Sequence, residues 1–253
     1  MNRLLGLVAG TVALAALGSA TVGASGATSS PLRGAVVVLD PGHDGGNGAN
    51  ATAINRPVDA GGFWKACDTV GAMTASGYPE HAFTFAVATA VATDLRHLGA
   101  TVVLTRRNDS GVGPCIDDRA RLANVLRASA AVSIHADGGP PWGRGFTVLV
   151  PETVVTEAGT TAPMVARSAA LGRDLAAVLR TVAGLAPANY AGRAGLEARG
   201  DLGGLNRSEV PKVFIECANL PNAADASLVT TPSWRTRLAA AIALGLERFL
   251  RHR

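Results

Sequence analysis

The sequence predicts an α/β protein: a single domain on a mostly parallel, twisted sheet of about six strands, with helices on both faces. Short apolar, β-branched runs bounded by Gly and Pro recur along the chain, as strands buried on both faces of a parallel sheet require. Amphipathic stripes with a spacing of four alternate with them, as crossover helices do. The 253 residues suit one α/β domain of ordinary to large size, and no internal linker is long and polar enough to divide it. With 48% hydrophobic but only 4% aromatic residues, the core has to be mostly Ala, Val and Leu. No heptads and no internal repeats are visible.

Residues 1–27 stand apart from that core. Arg3 gives a basic start, residues 4–17 are apolar or small without interruption, and Gly18, Ser19, Ala20, Gly23, Ala24 and Ala27 follow. This is the layout of a secretory signal peptide. A retained membrane anchor is the alternative, but the apolar run falls short of the roughly 20 residues of a span. Residues 28–253 are then the mature domain, expected outside the cell membrane, in the periplasm or cell wall. Losing the leader removes Arg3 and leaves 22 basic against 19 acidic residues, a net charge of +3. Such a chain is drawn weakly to anionic wall polymers or lipid headgroups. Arg248, Arg251 and Arg253 crowd the C-terminus without interleaved aromatic residues, which suits a solvated helix end and not a nucleic-acid site.

The elements follow in order. Residues 35–39 form a buried strand that ends at Asp40, Pro41, Gly42, His43, Asp44 and Gly45. The polar, Gly-rich stretch 45–77 is an excursion over the surface, of the kind used for binding loops or lids. Pro79 suits the first helical position, and Phe83, Val87, Val91 and Leu95 make the stripe of the helix it opens, with Gly99 as its C-cap. Glu80 therefore falls in a first turn. A strand over 101–105, a helix over 117–128 and a strand over 130–134 lead to His135, Ala136 and Asp137. A strand over 146–150, a helix over 163–183 and a Gly-rich link over 184–204 precede the strand 212–215, which delivers Glu216. A helix over 234–251, with Leu238, Ile242 and Leu246 spaced at four, closes the chain. An oxidising compartment permits disulfides, and three Cys leave one unpaired. Cys67 and Cys115 sit in polar loops while Cys217 ends an apolar run, so a Cys67–Cys115 bridge with Cys217 free and buried is expected. Three free thiols are the alternative.

Parallel strands all end at one edge of their sheet, where ligands of open α/β sheets bind. His43, His135 and Glu216 follow strand ends, and the first turn of the helix carrying Glu80 begins at the same edge. Two histidines and a carboxylate are the ligand set of a catalytic zinc that keeps one position open for water. A second, non-ligand carboxylate in an apolar setting suits a general base, and Glu216 follows Val213, Phe214 and Ile215. The set describes hydrolysis of an amide or ester. Singly each signal is weak: a strand-end His is more often structural, a first-turn Glu often only faces the helix dipole, and a Glu after a strand is usually solvated. Spacing alone leaves the two readings open.

Taken together the residues resemble a known family. Val38 to Gly45, Glu80, Val103 to Arg106 with Asp109, Arg119, Asn124, Ser133 to Asp137, and Pro211 to Glu216 with Asn222 occur in the order of the zinc-dependent N-acetylmuramoyl-L-alanine amidases (amidase_3 type) that remodel peptidoglycan. The resemblance covers about residue 35 to the C-terminus. It implies Zn2+, one per chain, on His43, Glu80 and His135, with Glu216 as the catalytic carboxylate. It also implies the bond cut, the amide between the lactyl group of N-acetylmuramic acid and L-alanine. The partners implied are peptidoglycan or muropeptide fragments, met by a monomer without a separate wall-binding domain. Departures lie in Cys217 to Asn222 after the last strand, in Asp137 where an Asn is usual, and in the long 45–77 loop. Two rival readings are an exported zinc peptidase acting on stem peptides and a non-catalytic peptidoglycan-binding module. The retention of all four site residues weighs against the second.

Overall fold

The computed structural model describes Met1, residues 30–156 and residues 159–252. The expected signal peptide lies outside the described residues. In chain order the elements are β1 (Val36–Pro41), a 3-10 turn (Asn47–Ala49), α1 (Ala51–Ile54), β2 (Pro57–Asp59), β3 (Trp64–Ala66), α2 (Glu80–His97), β4 (Thr101–Leu104), α3 (Ile116–Val125) and β5 (Ala130–Asp137). They continue with β6 (Thr147–Pro151), the two-residue strands β7 (Val155–Thr156) and β8 (Gly159–Thr160), α4 (Ala162–Thr181), β9 (Leu196–Arg199), α5 (Gly203–Asn206), β10 (Lys212–Asn219), α6 (Ala223–Val229) and α7 (Pro232–Arg251).

The main sheet has six strands in the order β4-β1-β5-β10-β6-β9. β4, β1, β5 and β10 are mutually parallel, whereas β6 runs antiparallel to β10 and pairs in parallel with β9. Alternation along the strands divides the core. Val37, Leu39, Val132, Ile134, Val213 and Ile215 face the larger cluster, with Phe83 and Val87 of α2, Leu171 and Leu175 of α4, and Leu238 and Ile242 of α7. Val38 and Ala131 face the other way and pack with Ala123 of α3. The sheet is therefore covered on both faces, but far more thickly on the α2–α4–α7 side. Among the described residues no helix is long and apolar enough to cross a membrane.

The structure corrects several boundaries. β5 and β10 run on past His135 and Glu216, which lie inside the strands and not beyond their ends. Their polarity does not stop pairing, because the two residues are register partners of each other. The link over 184–204 contains β9, an edge strand whose Leu-Glu-Ala-Arg sequence lacks an apolar run; charged residues are usual where one side of a strand is unpaired. The 45–77 excursion holds α1 and the β2–β3 hairpin and buries Asn47, Val58, Cys67, Asp68 and Thr74. The expected Cys67–Cys115 disulfide closes that excursion onto the start of α3, and Cys217 is free and buried. Pro79 is the extended N-cap of α2 and not its first residue, so Glu80 opens the helix.

Candidate active site

His43 is placed by the turn that ends β1. Its φ of 58° lies in the left-handed region, a conformation that costs a non-Gly residue about 1–3 kcal/mol and concentrates at functional sites. Two contacts hold it there: Arg119 Nη2 donates to the His43 carbonyl at 3.2 Å, and ring Nδ1 meets the Thr69 carbonyl at 3.0 Å. Asp68 Oδ1 stands 3.6 Å from the same nitrogen. The other ring nitrogen, Nε2, is thereby aimed at Glu80 Oε2, 3.1 Å away.

Glu80, at the start of α2, sits between the two histidines. Its Oε1 lies 3.0 Å from His135 Nδ1 and accepts from the Ala136 N–H at 3.1 Å; Oε2 accepts from the Ala72 N–H at 2.8 Å. Burial alone would favour the protonated acid, but the two imidazoles hold its carboxyl well below the usual range. Burial likewise opposes charge on His43, and the neighbouring Asp68 and Glu80 carboxylates outweigh it, raising the imidazole to about 10. The His43 and His135 rings stand nearly perpendicular with centroids 5.1 Å apart. Behind His135 the Phe214 ring stacks at 5.2 Å and 16°. Glycines make room for this packing. A Cβ on Gly42 would run into the His135 ring, and one on Gly71 would stand 2.8 Å from both Glu80 Oε2 and His43 Cδ2.

Glu216 lies beside His135 in register, on the adjacent strand. Among the described residues its Oε2 is buried without a hydrogen-bond partner. Burial pushes its carboxyl well above the ordinary range; the charges of Glu80 and Asp137 push further, against His43 and Arg199. A cavity of about 420 Å³ opens here, lined by His43, Glu80, His135, Asp137 and Glu216 among others. A second, about 430 Å³, lies between Lys65 and Ala66 of the hairpin, Ile116, Leu202 and Phe214, and shares His43 and His135 as a wall.

The structure thus brings together all four residues singled out in the sequence. One donor atom from each of His43, Glu80 and His135 lies within 4.8 Å of the others. Two imidazoles, a carboxylate steadied by backbone N–H groups, glycines that clear space for the rings, and an orphaned carboxylate oxygen nearby fit a divalent cation such as zinc. Sequence reasoning missed Asp68 and Thr69, which orient His43, because they lie in an aperiodic loop; their neighbour Cys67 was the one signal there.

A family model for N-acetylmuramoyl-L-alanine amidase matches residues 37–248. An N-acetylmuramoyl-L-alanine amidase of Mycobacterium tuberculosis is 39% identical over 241 residues, 94% of this chain and 95% of the relative. The crystal structure of the N-acetylmuramyl-L-alanine amidase Ami1 from Mycobacterium smegmatis superposes with a TM-score of 0.81 at 41% identity, covering 88% of this chain and 99% of that one. The apo form of Ami1 from Mycobacterium abscessus gives 0.77 at 40% identity, over 87% of this chain and 100% of that one. On the matched length, the shared fold and these identities, the chain belongs to the N-acetylmuramoyl-L-alanine amidase family.

Proposed function

We propose that this protein is an exported, zinc-dependent amidase that cleaves the bond between the lactyl carbonyl of N-acetylmuramic acid and the L-alanine nitrogen of the peptidoglycan stem. The observation that carries the reading is the convergence of His43, Glu80 and His135 on one point beside the unpartnered oxygen of Glu216. His43, Glu80 and His135 would hold the zinc. When bound, zinc supplies a Lewis acid that lowers the pKa of water and polarises a carbonyl.

The chain's own residues supply the rest. Glu216 Oε2 takes a proton from the attacking water and passes it to the alanine nitrogen as the C–N bond breaks, leaving a lactyl carboxylate and a free amine. The apolar surroundings that raise its carboxyl pKa make it an effective proton donor in the second half of that exchange. Asp68 and Thr69 fix His43, and the Ala72 and Ala136 N–H groups fix Glu80, so the donor set is held before substrate arrives. The leader-like residues 1–27 and the disulfide support action outside the cell membrane, on the wall.

Digestion of defined muropeptides with and without a chelator tests this. The expected products are a free L-alanine amino terminus and a lactyl-bearing sugar, lost with chelator and restored by zinc. Cleavage at another stem bond would replace the amidase reading with a peptidase. Glu216→Gln is expected to retain zinc yet lose about 10²–10⁴-fold in turnover, and near-wild-type rates would remove Glu216 from the mechanism.

A further inference from the structure

Trp142 is 68% exposed, on the loop that leaves β5 directly after the cavity-lining residues Asp137 and Gly138. An exposed indole is common on mobile loops, but this loop is braced along its length. Buried Asn219 donates through Nδ2 to the Pro140 carbonyl at 2.8 Å and the Gly143 carbonyl at 2.7 Å. Asn222 Nδ2 donates to the Pro141 carbonyl at 2.9 Å, the Gly145 N–H to Asp225 at 2.8 Å, and the Arg144 N–H to Asn189 at 2.9 Å. Beneath the loop lies Tyr190, whose hydroxyl donates to Asp137 Oδ2 at 2.8 Å and whose ring packs so closely that a Cβ on Gly139 or Gly143 would collide with it. The Trp142 indole meets this ring edge-on, with centroids 6.5 Å apart.

A large apolar side chain is thus held facing water on a rigid support that continues from the reaction cavity. Pre-organised aromatic faces of this kind lower the ordering cost of binding, and an indole combines broad contact area with a polar N–H at its edge. A pyranose ring matches such a platform, having a C–H face for the indole and polar groups around its rim.

We propose that Trp142, backed by Tyr190, is a stacking platform for a sugar ring of the glycan strand that carries the stem under cleavage. The placement of the glycan rests on the amidase reading; the platform itself is tested without hydrolysis. The full mature chain is titrated by calorimetry with peptide-free glycan oligomers of alternating N-acetylglucosamine and N-acetylmuramic acid, which hold no bond to cut. Wild type is expected to bind them saturably. Trp142→Ala is expected to weaken binding about two- to tenfold, the worth of one aromatic contact, with Trp142→Phe recovering most of it and the melting temperature unchanged. On stem-bearing glycan the same factor is expected in KM with kcat kept.

Absence of glycan binding by wild type, or equal affinity in Trp142→Ala, overturns the platform. So does Trp142-dependent binding of free stem peptide in place of glycan. None of these outcomes touches the amidase reading. Conversely, Trp142-dependent glycan binding in a chain that frees no L-alanine terminus would remove the amidase and leave the platform.

Discussion

A single methyl group at Gly42 would occupy the space of the His135 imidazole. Gly42→Ala is therefore expected to displace one proposed ligand without removing any, lowering zinc content by direct metal analysis while far-ultraviolet circular dichroism stays unchanged. Full zinc occupancy would show that His135 is not needed to hold the ion. Asp40 is a second residue whose chemistry is settled by its contacts. Its Oδ1 accepts from Arg119 at 2.8 Å and Thr105 at 2.7 Å, and its Oδ2 from Ser133 at 2.5 Å, with Lys212 Nζ at 3.4 Å. Asp40→Asn keeps the shape but leaves two buried cations against one fewer charge. A loss of about 3–5 kcal/mol in denaturant unfolding is expected, as for other broken buried pairs.

At the scale of elements, the 45–77 excursion matters because it carries the groups that orient His43. Cys67 stands two residues before Thr69 and is bridged to Cys115 across 48 residues. A loop of that length constrains the unfolded chain by about 4 kcal/mol in the chain-entropy account. Reduction under native conditions is expected to lower the melting temperature and to weaken zinc retention together, because the same bridge holds the Thr69 carbonyl against His43. A fall in melting temperature with zinc affinity unchanged would separate the two. α7 makes the corresponding claim for the helical layer. Ile242 is fully buried in the cluster it shares with α2 and α4, so Ile242→Ala is expected to cost about 2–5 kcal/mol, read as a shifted denaturant midpoint with the slope preserved.

For the whole molecule the buried charges set the response to acid. Burial alone would raise the Asp40 carboxyl, but Lys212 and Arg119 outweigh it and hold the group far below the unfolded value near 3.9. A carboxylate depressed in the folded state stabilises the fold at pH above its unfolded pKa, and that contribution drains away as pH falls below about 4. Glu80 and Asp68 are depressed in the same direction and add to the trend. Equilibrium unfolding followed from pH 7 downward is expected to show stability falling below about pH 4, less steeply in Asp40→Asn. A wild-type curve flat to pH 3 would mean these carboxylates carry little.

The sequence by itself determined a parallel sheet with helices on both faces and the helix whose first turn carries Glu80. It made Cys67–Cys115 the expected pairing, with three free thiols as the alternative, and it joined the four residues now seen around one cavity through the family resemblance. The sheet and its helices are written in local periodicity, which short-range sterics and burial of apolar stripes dictate. The tertiary structure alone decided what pairs across distance. β9 forms at an edge because β6 offers it a free ladder, not because Leu-Glu-Ala-Arg looks like a strand. Asp68 and Thr69 reach His43 because a disulfide and a hairpin fold an aperiodic loop back over it. Trp142 stands on a braced loop because Asn219 and Asn222, some 80 residues on, hold it. Such contacts depend on which backbone groups meet once the sheet has assembled, and no spacing along the chain encodes them.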